Sequence, residues 1–171
     1  MRALIVIDML NDFVDPKGVL YCGETARRII PRVKELVEEF RARGEPVIFV
    51  CDAHAPDDAE FTAFPAHCVR GTWGAEVVPD LAPREGDRVI EKTRFDAFFR
   101  TELEEVLREL RVEEVWLCGV CTSICVMDTA AGAFFRGFRV VVPGDAVADF
   151  DPEAHAFALK RMERIYKAEI R

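Results

Sequence analysis

The chain has 171 residues, with 31 acidic against 23 basic side chains, a formal net charge of −8, six cysteines and three histidines. Half of the residues are hydrophobic, so the chain can bury a core, and it is not disordered, collagen-like or a disulfide scaffold. The acidic balance, the absence of any Lys/Arg run and the shortness of every apolar run predict no nucleic-acid partner, no membrane partner and a cytoplasmic protein with reduced thiols.

Ala3–Ile7 reads as a buried strand that stops at Asp8. Pro31–Arg43 reads as a helix, with Ile30, Val33, Val37 and Phe40 on one face and Gly44 as its stop. Pro46–Cys51 is the second strand. Residues 52–86 form the one long loop, punctuated by prolines and glycines, and a loop of that length is usually functional or holds short helices. Arg88–Glu91 is a third strand. Thr101 and Glu104 form a capping-box pattern ahead of a helix with Leu103, Val106, Leu107 and Leu110 on its apolar face. Glu114–Cys118 is the fourth strand, Thr122–Phe135 a helix and Phe138–Val142 the fifth strand. Asp151-Pro152 caps a last helix running to about Arg164, and Ile165–Ile170 holds a short terminal strand. The alternation predicts one α/β domain over residues 1–171. Its architecture is three-layered α/β/α, a mainly parallel sheet of five to six strands with helices on both faces.

In such folds ligands bind beyond the carboxyl ends of the strands. Asp8 ends strand one, Asp52 and His54 follow strand two, Lys92 ends strand three, and Cys121 and Cys125 follow strand four. Each alone has a plainer reading as a turn or capping residue; four strands delivering reactive groups to one edge are harder to dismiss. Cys125 falls near a helix N-terminus, whose dipole, with a Lys92 ammonium nearby, favours a thiolate. Asp8 is placed to accept the thiol proton and return it to a leaving group. Cys22, Cys51, Cys68 and Cys118 read as packing residues. Cys118-Gly-Val-Cys121 is also a C-x-x-C, which leaves a redox pair as a minor reading, although Cys118 lies inside an apolar strand. Asp52, His54, Glu60 and His67 form a mixed nitrogen/oxygen set suited to zinc, iron or manganese, against the plainer reading of a solvated acidic loop. His155, on the last helix, reads as a surface residue away from this edge.

Four stretches carry a resemblance over essentially the whole chain: VIDMLNDFV, HAPDDAEFTAFPAHCVRGTWGAE, EKTRFDAF and GVCTSICVMDTAAGAFFRGFRVVVPGDAVAD. On these the chain resembles the isochorismatase-like cysteine hydrolases, and within them the nicotinamidase/pyrazinamidase subgroup. The resemblance implies a catalytic triad at Asp8, Lys92 and Cys125. It implies a metal site at Asp52, His54, Glu60 and His67, with zinc foremost and iron or manganese as alternatives. It also implies an oxyanion hole from the backbone N–H groups of Cys121 and Cys125, beside a cis Val120–Cys121 bond. The substrate implied is the small amide nicotinamide, deaminated to nicotinate and ammonia in NAD salvage through a cysteine thioester. Phe13, Phe64, Val120 and Cys121 fall on pocket positions, with Phe95 and Phe98 as further walls. Homo-oligomerisation stays open. Leu10, Ala53, Ala55 and Ser123 depart from the family pattern at positions outside the triad and metal set. Two competing readings remain: the same triad acting on another small amide, ureido compound or vinyl ether, and a redox protein using Cys118 and Cys121. An inert binding module sits poorly with an intact triad.

Overall fold

The apolar alternation along the first strand explains the layering. In the computed structural model, which describes residues 1–171, β1 (Arg2–Ile7) is buried from Ala3 onward. Ala3, Ile5 and Ile7 join one core, and Leu4 and Val6 join the other. Successive strand side chains point to opposite faces, so a strand buried on both faces reads as one apolar run. Each fully buried Leu, Ile, Val or Phe contributes about 1.5–3 kcal/mol.

One core packs β1 against α2 (Glu24–Arg28) and α3 (Ile30–Ala42), through Ala26, Val33, Leu36, Val37 and Phe40. The other packs it against α4 (Leu103–Glu109), α5 (Met127–Phe135) and α6 (Pro152–Ile165), through Leu103, Leu107, Ala130, Ala133, Ala158 and Met162. A short α1 (Asn11–Val14) follows β1 directly.

The other strands are β2 (Val47–Asp52), β3 (Arg88–Lys92), β4 (Glu114–Val120), β5 (Arg139–Val142), β6 (Val147–Ala148) and β7 (Glu169–Ile170). They form one seven-stranded, wholly parallel sheet in the order β3-β2-β1-β4-β5-β7, with β6 also paired to β4. This exceeds the expected five to six strands. The unforeseen one, β6, has only two residues, too few to show a period.

Two local expectations are met only in part. The capping box at Thr101 is only half made: Thr101 Oγ1 accepts from the Leu103 N–H at 3.3 Å and donates to Ala97 O, but Glu104 turns away to pair with Arg136 at 2.7 Å, and α4 starts at Leu103. The helix expected from Thr122 begins as a π-helical turn, Thr122–Val126, and only α5 beyond it is α-helical. The 52–86 loop holds three 3-10 turns, at Ala59–Thr62, Trp73–Ala75 and Pro79–Leu81. Asp12 pins it, its Oδ2 accepting from the Cys68 N–H at 2.7 Å.

Gly119 is required where β4 meets β1. Its φ is +114°, and a Cβ there would lie 2.0 Å from the Ile7 carbonyl oxygen. This close approach sets the next residues of both strands, Asp8 and Val120, at one sheet edge.

Candidate active site

Asp8, Asp52, Lys92 and Cys125 converge at the carboxyl ends of β1, β2, β3 and β4. Parallel register sets Asp52 opposite Lys92. Lys92 Nζ lies 2.7 Å from Asp8 Oδ2, 2.5 Å from Asp52 Oδ1 and 3.6 Å from Cys125 Sγ. Asp8, Asp52 and Cys125 each bring an acceptor atom within 4.8 Å of the others. Asp8 holds a left-handed φ of +50°, an uncommon conformation for a residue other than glycine. Its Oδ1 accepts from the Asp52 N–H at 2.9 Å. Its Oδ2 touches Lys92 without hydrogen-bond geometry, which leaves a lone pair open toward the thiol.

Burial and the Asp52 charge raise the Asp8 carboxyl to about 6, against the opposing pull of Lys92. Asp52 falls below its ordinary value, because Lys92 and His54 outweigh its burial. Burial pushes the Cys125 thiol well up; Lys92 opposes this, and Asp8 and Asp52 add to it. Burial and the two carboxylates therefore work against the resting thiolate that a helix dipole and Lys92 would favour. The turn is π-helical rather than the first turn of an α-helix, and two buried carboxylates stand beside the sulfur. The arrangement is a thiol beside a carboxylate that takes up a proton near neutrality.

The second cluster is His54, His67, Asp52 and Glu60. His54 Nε2 lies 3.6 Å from Asp52 Oδ2 and 3.9 Å from Glu60 Oε1, and His67 Nε2 lies 3.7 Å from the same Glu60 oxygen. The rings stand 4.9 Å apart. Their other nitrogens are held from behind: His54 Nδ1 meets Asp58 Oδ2 at 3.1 Å, and His67 Nδ1 meets the Pro65 carbonyl at 2.8 Å. His54 Nε2 is buried with no hydrogen-bond partner. Two imidazole nitrogens and two carboxylates with a fixed second hydrogen bond on each ring fit a divalent metal. Asp58, which sequence reasoning set aside as part of an acidic loop, orients His54 and Arg94 and is held down to about 2. Nothing in its motif separates it from its neighbour Asp57.

Both clusters border one cavity of about 350 Å³. Phe13, Phe64, Phe95, Val120, Cys121 and Cys125 line it, with Asp52, Glu60 and His67. The ring centroids of Phe13 and Phe64 stand 5.6 and 6.3 Å from that of His67. Val120–Cys121 is a cis peptide, and the Cys121 N–H has no acceptor in the protein. Phe98 is not in the wall. It is buried in the core that packs against α4, α5 and α6, stacked on Phe138 at 6.1 Å with the Arg136 guanidinium over its ring. The turn after β3 directs Phe95 outward and Phe98 into the core. Val19, Leu20, Tyr21, Cys22, Ile124 and Phe150 also line the cavity. Val19, Leu20, Tyr21 and Cys22 come from a loop without a motif, whereas Ile124 stands in the GVCTSIC stretch beside Cys125.

One further assignment changes, and the main reading of Cys118 stands. His155 is half-buried, and its Nδ1 meets Thr122 Oγ1 at 2.9 Å, at the start of the turn that carries Cys125. Folding α6 back onto that turn brings His155 to the edge it was expected to avoid. Cys118 packs toward the Ile5 carbonyl, whereas Cys121 faces Cys22, so the C-x-x-C spacing forms no pair. All six cysteines are free and buried.

Comparison with known proteins follows the same lines. The isochorismatase domain family matches residues 2–169. The structure of a nicotinamidase/pyrazinamidase from Bacillus subtilis is 40% identical, with a TM-score of 0.95, over 99% of this chain and 98% of that one. A pyrazinamidase from Pyrococcus horikoshii, solved in complex with zinc, is 34% identical, with a TM-score of 0.94, over 99% and 98%. An N-carbamoylsarcosine amidase from Thermoplasma acidophilum is 36% identical, with a TM-score of 0.92, over 99% and 95%.

Proposed function

The chain belongs to the isochorismatase family of hydrolases, and we propose that within it this protein is a metal-dependent amidohydrolase converting nicotinamide to nicotinate and ammonia. One observation carries the reading. Asp52 belongs both to the Asp8–Lys92–Cys125 group and to the His54–Glu60–His67 group, and the two open onto one aromatic cavity. The nicotinamidase/pyrazinamidase neighbours support the same substrate class.

In this reading Cys125 Sγ attacks the carboxamide carbon as its proton passes to Asp8. The Cys121 and Cys125 N–H groups hold the oxygen as it becomes negative. Lys92 offsets the carboxylate charges around the sulfur. The C–N bond then breaks, and Asp8 returns the proton to the departing ammonia, leaving a nicotinoyl thioester. Asp8 takes a proton from water as the water oxygen attacks the thioester, and nicotinate leaves as Cys125 regains its proton. Phe13, Phe64 and Phe95 hold the ring. Asp52, His54, Glu60 and His67 would hold a divalent ion, zinc foremost, which supplies a Lewis-acid anchor for the pyridine nitrogen.

The N-carbamoylsarcosine amidase neighbour favours a second reading, in which the same three residues hydrolyse a ureido substrate. Ammonia release from nicotinamide, pyrazinamide and an N-carbamoyl amino acid, with metal content measured on the same protein, separates the two. Metal-dependent turnover of nicotinamide supports the first; metal-independent turnover of the ureido compound alone supports the second. Unchanged turnover in Cys125→Ala would sink both.

A further inference from the structure

Cys22 Sγ and Cys121 Sγ lie 3.2 Å apart, and both residues are buried in the cavity wall. Cys22 is 99 residues from Cys121 in sequence, in the loop before α2. No other pair of the six thiols makes such a contact, and the C-x-x-C partner Cys118 points to the Ile5 carbonyl instead. The proposed hydrolysis uses the Cys121 backbone but neither of these two sulfurs. A disulfide needs S–S of about 2.05 Å, so closing the pair takes a shift of roughly 1 Å. The cavity of about 350 Å³ that both residues line has room for a small peroxide.

We propose that Cys22 and Cys121 form a reversible disulfide when the protein meets hydrogen peroxide, a modification site in the pocket wall separate from the Cys125 thiol. The Cys22 sulfur attacks one peroxide oxygen and breaks the O–O bond. This gives a Cys22 sulfenic acid, while its thiol proton leaves with the other oxygen as water. The Cys121 sulfur then bonds to the Cys22 sulfur and displaces hydroxide, which leaves as water with the Cys121 proton. Two thiols are oxidised, one peroxide is reduced, and two waters form. The reverse order, with the Cys121 sulfur attacking first, gives the same disulfide and the same two waters. The bond would tie the loop bearing Leu20 and Tyr21 to the wall beside Cys125, and thiol reductants would release it.

The test treats the full chain with hydrogen peroxide and reads intact mass and disulfide-mapped peptides, then repeats both after a thiol reductant. The expected result is a loss of two hydrogens, a link between 22 and 121, and full recovery. Cys22→Ser and Cys121→Ser should each abolish the link, and Cys118→Ser should keep it. A link joining Cys118 to Cys121, or peroxide adducts on Cys125 with no 22–121 link, overturns the proposal. Because mass is the readout, failure here is distinct from failure of the hydrolase reading.

Discussion

Lys92 Nζ lies 2.5 Å from Asp52 Oδ1, and neither side chain reaches solvent. The same ammonium contacts Asp8, so one buried cation faces two buried carboxylates. The two are not equivalent. Asp52 stays ionised, whereas Asp8 is raised to about 6. A pair of carboxylates pushed apart in this way separates a fixed charge from a proton carrier.

Removing the cation should therefore expose the cost of the anions. Lys92→Met is expected to lower stability by about 3–5 kcal/mol, because it strands buried charge. Without Lys92, burial and mutual repulsion raise the folded-state pKa of both carboxyls above their unfolded values. Stability from such groups is full at low pH and lost as pH rises through the folded pKa. Urea unfolding of Lys92→Met should thus show a larger deficit at about pH 8 than at about pH 5. An equal deficit at both would contradict the shared-cation arrangement.

Activity should also report Asp8. The carboxylate must be unprotonated to take the Cys125 proton, so kcat/KM for nicotinamide is expected to fall as pH drops through about 6. The acid limb should follow a single proton, and Asp8→Asn should remove most of the activity at every pH. A profile flat well below that value would place the base elsewhere.

Asp58 offers a test of the metal cluster without touching a ligand. It holds His54 Nδ1 at 3.1 Å and so sets the ring that carries Nε2. Asp58→Asn is expected to weaken metal affinity about 10–100-fold. His54→Ala and His67→Ala should lose the metal outright. Competitive chelator titration with elemental analysis reads both effects. Unaltered metal retention in all three variants would remove the site.

Phe98 and Phe64 should separate packing from recognition. Phe98→Ala empties a buried core position and is expected to cost about 3–5 kcal/mol in urea unfolding, with KM near the parent value. Phe64 is partly exposed on the cavity wall. Phe64→Ala should raise KM while leaving the unfolding midpoint nearly unchanged. The reverse pattern would restore Phe98 to the pocket.

Much of this was written into residue order. Apolar runs marked β1, β2, β4 and β5, because a parallel strand buried on both faces needs a largely apolar segment, whereas the half-exposed edge strand β3 was marked only by Val89 and Ile90. Residues just after those runs arrive together because parallel strands end at one edge. The sequence alone thus determined the fold class and brought Asp8, Asp52, Lys92 and Cys125 to the same place.

Tertiary structure decided what those residues can do. Proton affinities depend on burial and on charges far away in sequence, so the rise of the Asp8 carboxyl to about 6 comes only from its burial and from Asp52 packed beside it, against the pull of Lys92. The turn after β3 decided between Phe95 and Phe98. The return of α6 brought His155 to Thr122. The loop before α2 set Cys22, not the near neighbour Cys118, against Cys121. Spacing reports contacts along a helix or strand; contacts between separate segments come only from how those segments pack.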